Sequence, residues 1–224
     1  MDIFTRYCLD GAKKAQGLTV IIDIFRSSNT ILALLASGIK KIVVTGSVSK
    51  ARMLKKDNPS WVLCGERNRV KISGFAYGNS PAEINAAHHR LNRKTVILTT
   101  SAGAKGIVSA KHATEIIIGA FANAQAVSHY IQKKKPKIVT LVSIGTNGKV
   151  KAMEDTACAN FIISLLHGNP LAFSPLKKSI LTLKAARDLE KLGYAADLSF
   201  CLQKNTSLLV PKVKKKNGLI IITP

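Results

Sequence analysis

Short apolar runs rich in β-branched residues alternate along this chain with longer amphipathic stretches. Val20-Ile21-Ile22-Asp23-Ile24 reads as a buried strand, and residues 30–37 as the helix after it, closed by Gly38. Residues 41–45 predict a second strand, 48–56 a second helix, and Trp61-Val62-Leu63-Cys64 a third strand. Strands over 95–99, 115–118 and 138–144 continue the series, with helices over 81–89, 122–134, 154–166 and 179–192. Uninterrupted apolar strands between amphipathic helices suit a mainly parallel sheet, because helices then cover both of its faces. The expected fold is α/β, a three-layer α/β/α arrangement. After Gly193 the rhythm changes, and residues 198–201, 207–210 and 219–222 read as short strands joined by turns. They predict a strand-rich C-terminal portion, an antiparallel edge or a small flap. No repeat or linker divides the chain, so 1–224 is expected to form a single domain.

In an open parallel sheet, ligands bind beyond the carboxyl ends of the strands. The first strand runs into Asp23 and Arg26, the third into Gly65-Glu66-Arg67, and the fourth into Thr99-Thr100-Ser101-Ala102-Gly103. The fifth leads to Gly119 and Asn123, and the sixth to Gly145-Thr146-Asn147-Gly148, with Glu154-Asp155 soon after. A polar loop over 65–80 is long enough to be functional. These ends hold Asp23, Glu66, Glu154 and Asp155 from a chain with only 12 acidic residues. Hard cations such as Mg2+ take carboxylate, water and phosphate oxygens, and guanidinium groups bind phosphate in bidentate fashion. Carboxylates beside Arg26 and Arg67 are therefore equipment for metal-assisted phosphoryl transfer. Each residue also has a plainer reading. Glu154 suits the positive end of a helix dipole, Asp155 a neighbouring lysine, and the two arginines could simply neutralise the acids. A buried unpaired carboxylate such as Asp23 is the hardest to explain by packing alone. No P-loop, G-x-G-x-x-G or D-x-D motif is present.

Charge adds a second theme: 34 Lys plus Arg against 12 Asp plus Glu give a formal +22. Nucleic acid is the obvious polyanion. The basic residues are nevertheless spread out, tight only at 133–135 and 214–216, with few aromatics between them for base stacking. Contact with nucleic acid beyond non-specific attraction is not expected. The four cysteines, Cys8, Cys64, Cys158 and Cys201, have neither zinc spacing nor a disulfide pattern. No apolar run approaches the roughly 20 residues of a membrane span, and Met1-Asp2-Ile3-Phe4 opens no basic region followed by an apolar stretch, so a signal peptide is not expected. A cytoplasmic protein is expected, with a homodimer as its further partner.

The same residues carry a family resemblance. The chain resembles the 2-phosphosulfolactate phosphatase family in a D-x-x-R strand end (Asp23 to Arg26) and a G-E-R…K-I-x-G-F-x-x-G-N-S-P block (Gly65 through Gly78-Asn79-Ser80-Pro81). It also shares a T-T-x-x-G loop (Thr99 to Gly103), a G-x-F-x-N-A segment (Gly119 to Ala124), an E-D-x-x-C-A helix start (Glu154 to Ala159) and a tail with Asp197 and Phe200-Cys201. The resemblance implies an α/β/α fold, Mg2+ dependence and hydrolysis of 2-phospho-3-sulfolactate to sulfolactate and phosphate in coenzyme M biosynthesis. It departs from the family at Ala102, Ala104 and Lys105, where the loop usually reads T-T-x-N-G-T-R, and at Ser143-Ile144 and Asn160. The roles expected are metal ligation by Asp23, Glu154 and Asp155, with Glu66 as general base or as a carboxylate supporting the ligands. Arg26, Arg67, Asn79, Ser80 and Asn123 would hold the small anionic ester. The alternatives are a nucleic-acid-binding protein, or a catalytically silent anion-binding relative on the same fold.

Overall fold

The computed structural model describes residues 1–224. Strands β1 (Asp2–Tyr7), β2 (Gly17–Ile22), β3 (Lys41–Val44), β4 (Val62–Arg67) and β5 (Val70–Lys71) alternate in the first third with helices α1 (Cys8–Lys13), α2 (Ser27–Ala36) and α3 (Val48–Asp57). Then come α4 (Pro81–Ala86), α5 (His88–Leu91), β6 (Thr95–Thr99), α6 (Gly103–Ser109), β7 (Ala113–Gly119), α7 (Ala124–Lys134) and β8 (Ile138–Ser143). Helices α8 (Met153–Leu166), α9 (Phe173–Leu181), α10 (Lys184–Lys191) and α11 (Ala195–Cys201) follow, and the hairpin β9 (Lys212–Lys216) and β10 (Leu219–Thr223) comes last.

All ten strands join one sheet in the order β1-β8-β2-β7-β9-β10-β3-β6-β4-β5. The pairs β1–β8, β8–β2, β2–β7, β3–β6 and β6–β4 are parallel. The C-terminal hairpin is neither edge nor flap. It sits in the middle of the sheet, antiparallel to β7 on one side and to β3 on the other. Three antiparallel junctions separate the two parallel blocks, which therefore run in opposite senses. A flat sheet would put their carboxyl ends on opposite edges. Strand twist of about 20–25° per neighbour accumulates to roughly 100–125° over the five steps from β2 to β6, which turns the two sets of ends toward a common cleft.

Period-two alternation assigns the core. Ile21, Val142 and Ile118 of one block, with Ile42, Val44, Val96 and Leu98 of the other, pack against α1, α2 and α6. The opposite face of the first block, with Val20, Ile22, Ile117 and Leu141, packs against α7 and α8. The opposite face of the second block, with Val43, Ile97 and Leu63, packs against Ala51 and Leu54 of α3 and against Phe75. The three-layer α/β/α architecture follows from this arrangement.

Several expectations need correction. Residues 198–201 are helical, because 197, 198, 201 and 202 are the buried positions, a helical spacing. Residues 207–210 form no strand. The helix read over 179–192 is two helices, α9 and α10, broken at Thr182–Leu183. Strand β1 has the half-exposed pattern of an edge, and β9 was hidden inside a lysine run.

Candidate active site

Asp23, Arg26, Glu66, Asn79, Glu154 and Asp155, drawn from both blocks, line one cleft that opens to solvent. Asp23 follows β2 directly, and its Oδ1 accepts the N–H of Ser27 at the start of α2. Asp155, in the first turn of α8, bridges two strand ends: Oδ1 accepts from Ile24 N at 2.7 Å and Oδ2 from Gly145 N at 2.8 Å. Glu154 precedes it at the positive end of the same helix.

Glu66, at the end of β4, has both oxygens engaged. Oε1 accepts from Ser101 N at 2.6 Å, while Oε2 accepts from Arg69 N at 2.8 Å and from the Ser101 hydroxyl at 3.0 Å. So committed, Glu66 clamps two loops together, and this geometry suits the supporting role better than that of a free base. Close packing joins the blocks elsewhere too. A Cβ on Gly103 would lie 2.4 Å from Ser27 Oγ and 2.8 Å from Asp23 Oδ2, so only glycine fits there.

Three of the expected residues lie outside the cleft. Arg67 turns back into the protein and donates to the carbonyls of Glu66 and Gly46 and to Thr99 Oγ1. Ser80 caps α4 by accepting from Glu83 N, and donates to Asp197. Asn123 is fully buried, accepting from Ala120 N and donating to the carbonyls of Ile118 and Leu209, which fastens the tail to the end of β7.

Two residues that the sequence did not assign shape the site: Arg69 in the cleft and Asp197 as the buried partner of Arg26. Arg69 lines the cleft with its backbone in the left-handed region (φ 70°), and its guanidinium donates to Asp188 at 2.8 Å. Asp197, buried on α11, pairs with Arg26 at 2.6 Å and accepts from the Ser80 hydroxyl and Ala82 N. Arg26 in turn donates to the Arg69 carbonyl at 2.7 Å and lies 3.9 Å from the centre of the Tyr194 ring. Nothing in the arginine-glycine spacing marked Arg69 over Arg67. Asp197 was visible only as part of the shared tail. Of the loop departures, Ala102 lines the cleft, whereas Ala104 is buried and Lys105 lies against Gly46.

The carboxylates crowd one another. Burial, then Glu66 and Glu154, push the Asp23 carboxyl up to about 7. Burial, then Asp23 and Glu154, hold Asp155 well above the usual carboxylate range. Burial also raises Glu154, against the pull of its own N–H and of Arg69. Arg26 is paired with Asp197 and Arg69 with Asp188, so neither cleft guanidinium is free to balance the four acids in full. The cleft is locally acidic in a chain of formal charge +22.

This donor set suits a hard divalent cation of the Mg2+ type, which needs only one or two carboxylates and completes its shell with water and phosphate oxygens. No three His, Cys, Asp or Glu side chains converge as a ready-made metal set. Asn79 Oδ1 is buried at the cleft without a partner, an acceptor open to a water or a substrate hydroxyl.

Comparison with known proteins agrees with the geometry. The family model described as 2-phosphosulpholactate phosphatase matches residues 5–216. The chain belongs to that family. Probable 2-phosphosulfolactate phosphatases are similar to it along almost their whole length. That of Carboxydothermus hydrogenoformans is 34% identical over 217 residues, covering 91% of this chain and 89% of the relative. That of Caldicellulosiruptor saccharolyticus is 33% identical over 207 residues (83% and 84%). That of Thermotoga petrophila is 31% identical over 216 residues (91% of each). As a member of the 2-phosphosulpholactate phosphatase family, the chain falls among phosphoric monoester hydrolases. No helix is long and apolar enough to cross a membrane.

Proposed function

We propose that this chain is a Mg2+-dependent phosphatase that hydrolyses 2-phospho-3-sulfolactate to 3-sulfolactate and phosphate, a step of coenzyme M biosynthesis. The observation that carries the reading is the cleft: four mutually repelling carboxylates facing two arginines, in a chain of this family. An ester with three anionic groups would not enter so acidic a site unless a cation screened the acids. One or two of Asp23, Glu154 and Asp155 would hold Mg2+, with Glu154 the least engaged of the three. The ion supplies charge neutralisation at the phosphoryl oxygens and a more acidic bound water. Arg69, and the N–H groups of Arg26 not spent on Asp197 and the Arg69 carbonyl, bind and orient the anionic groups. Glu66 fixes the Ser101 and Arg69 backbone so that these groups stay aligned.

Phosphate release from 2-phospho-3-sulfolactate and a panel of small phosphate esters, with Mg2+ or with chelator, tests the proposal. Release only with Mg2+, and fastest from the sulfonated ester, supports it; release indifferent to chelation refutes the metal reading. The mechanism expected is direct in-line attack of water, and a phospho-adduct on Asp23 in rapid-quench mass spectrometry would replace it with a covalent route.

A further inference from the structure

The outer edge of the sheet has the pattern of a surface that meets its own copy. Strand β1 has β8 as its sole neighbour. Asp2 N donates to Lys137 O at 2.9 Å, and the register pairs Asp2 with Ile138. In a parallel ladder of that phase, Asp2, Phe4 and Arg6 spend their backbone groups on β8, while Ile3, Thr5 and Tyr7 turn theirs outward. Natural proteins blunt such edges with charged side chains, proline or bulges. Here the strand reads Asp-Ile-Phe-Thr-Arg-Tyr in unbroken register, without proline, lysine or bulge, and its two charges are of opposite sign.

The side chains of Asp2, Phe4 and Arg6 share one face by period-two alternation, and all three residues are exposed, Phe4 by 44%. Neither Asp2 nor Arg6 has an ionic partner within the chain, although acids are scarce in it. We propose that two copies pair antiparallel through β1 about a two-fold axis at Phe4, continuing the sheet from one copy into the other. Asp2 then faces Arg6 of the second copy, Phe4 faces Phe4, and Ile3 faces Thr5, whose outward N–H and C=O groups satisfy each other. A shift of one hydrogen-bonded step in either direction sets Phe4 against Asp2 or Arg6 and loses both charge pairs. The matched register is thus the one in which an isologous contact is complementary at every position. It also supplies a local attraction to oppose the long-range repulsion between two cationic copies.

Sedimentation equilibrium over a range of protein concentrations reads the proposal directly. The parent chain is expected to dimerise. Asp2→Arg and Arg6→Asp each turn two attractions into repulsions and raise the dimer dissociation constant by about tenfold or more. The exchanged variant Asp2→Arg/Arg6→Asp returns it to within about threefold of the parent, since the pairs are restored with reversed sense. Thr5→Pro removes an outward N–H without touching the β8 ladder and also weakens the dimer. A monomer at every concentration overturns the proposal. So does a dimer indifferent to the single reversals and to Thr5→Pro, or an exchanged variant that fails to recover.

Discussion

Replacing Asp197 by asparagine tests whether the cleft is held together by a buried ion pair. Arg26 and Asp197 meet at 2.6 Å with both side chains 1% exposed, so water cannot compensate for a missing partner. Asparagine keeps the volume, and its Oδ1 still accepts from the Ser80 hydroxyl and Ala82 N, while its NH2 replaces Oδ2 opposite Arg26, so the charge and the acceptor for the guanidinium are lost together. Breaking a buried pair by removing one partner costs about 3–5 kcal/mol, because the remaining charge is stranded. Domains have total stabilities of roughly 5–15 kcal/mol. At this chain length each kcal/mol moves Tm by about 2–4 °C, so Asp197→Asn should lower Tm by roughly 6–20 °C. The double variant Arg26→Met/Asp197→Asn removes the stranded guanidinium and should be more stable than Asp197→Asn alone. Urea unfolding followed by circular dichroism measures both. A loss below about 1 kcal/mol for Asp197→Asn, or a double variant that falls by the sum of the two singles, would refute the reasoning.

Three further outcomes follow from the same geometry. The native Asp23 carboxyl holds its proton to about 7 while the unfolded one releases it near 3.9, so in chelator stability should fall as pH rises through that window, by on the order of 4 kcal/mol from this group alone. Thermal melts in chelator from pH 4 to 8 show this, and Mg2+ should raise Tm more at the alkaline end; a flat profile contradicts it. Gly103→Ala forces a methyl against Ser27 and Asp23 and should cost about 1–3 kcal/mol together with most of the phosphatase activity; a fully active variant would show that the contact relaxes freely. Arg69→Ala should raise KM by about ten- to a hundredfold through loss of a charge-assisted hydrogen bond, whereas Arg67→Ala should lower Tm and leave KM nearly unchanged; steady-state kinetics on the pair distinguish them.

The parallel blocks were legible because their strands are apolar on both faces, so periodicity alone separated them from the helices between. Residues 95–99 and the start of α8 were placed nearly to the residue for this reason. Strand β9 was not legible. Lys214 to Lys216 read as solvated surface, although their backbone pairs in mid-sheet. The clustering of Asp23, Glu66, Glu154 and Asp155 was foreseeable, since carboxylates at strand ends have few structural uses in a chain so short of acid. Whether a polar residue faces the cleft or fastens a loop was not foreseeable. Arg67 and Arg69 are two positions apart, and the left-handed turn at Asn68 and Arg69 sends one inward and the other to the cleft. Asn123 and Ser80 belong to shared motifs for structural reasons, and a motif does not distinguish those from chemical ones.

The position of the C-terminal hairpin also has a consequence for biogenesis. Ribosomal synthesis delivers residues 212–223 after every other strand, yet these residues bridge β7 and β3 at the heart of the sheet. Until they arrive, a nascent chain has two separately assembled halves with open, apolar seams facing each other. Such species are slow to complete and prone to cross-association. Chaperone dependence and expression yield should therefore respond more sharply to changes in the β9–β10 hairpin than to changes of equal chemistry in α9 or α10.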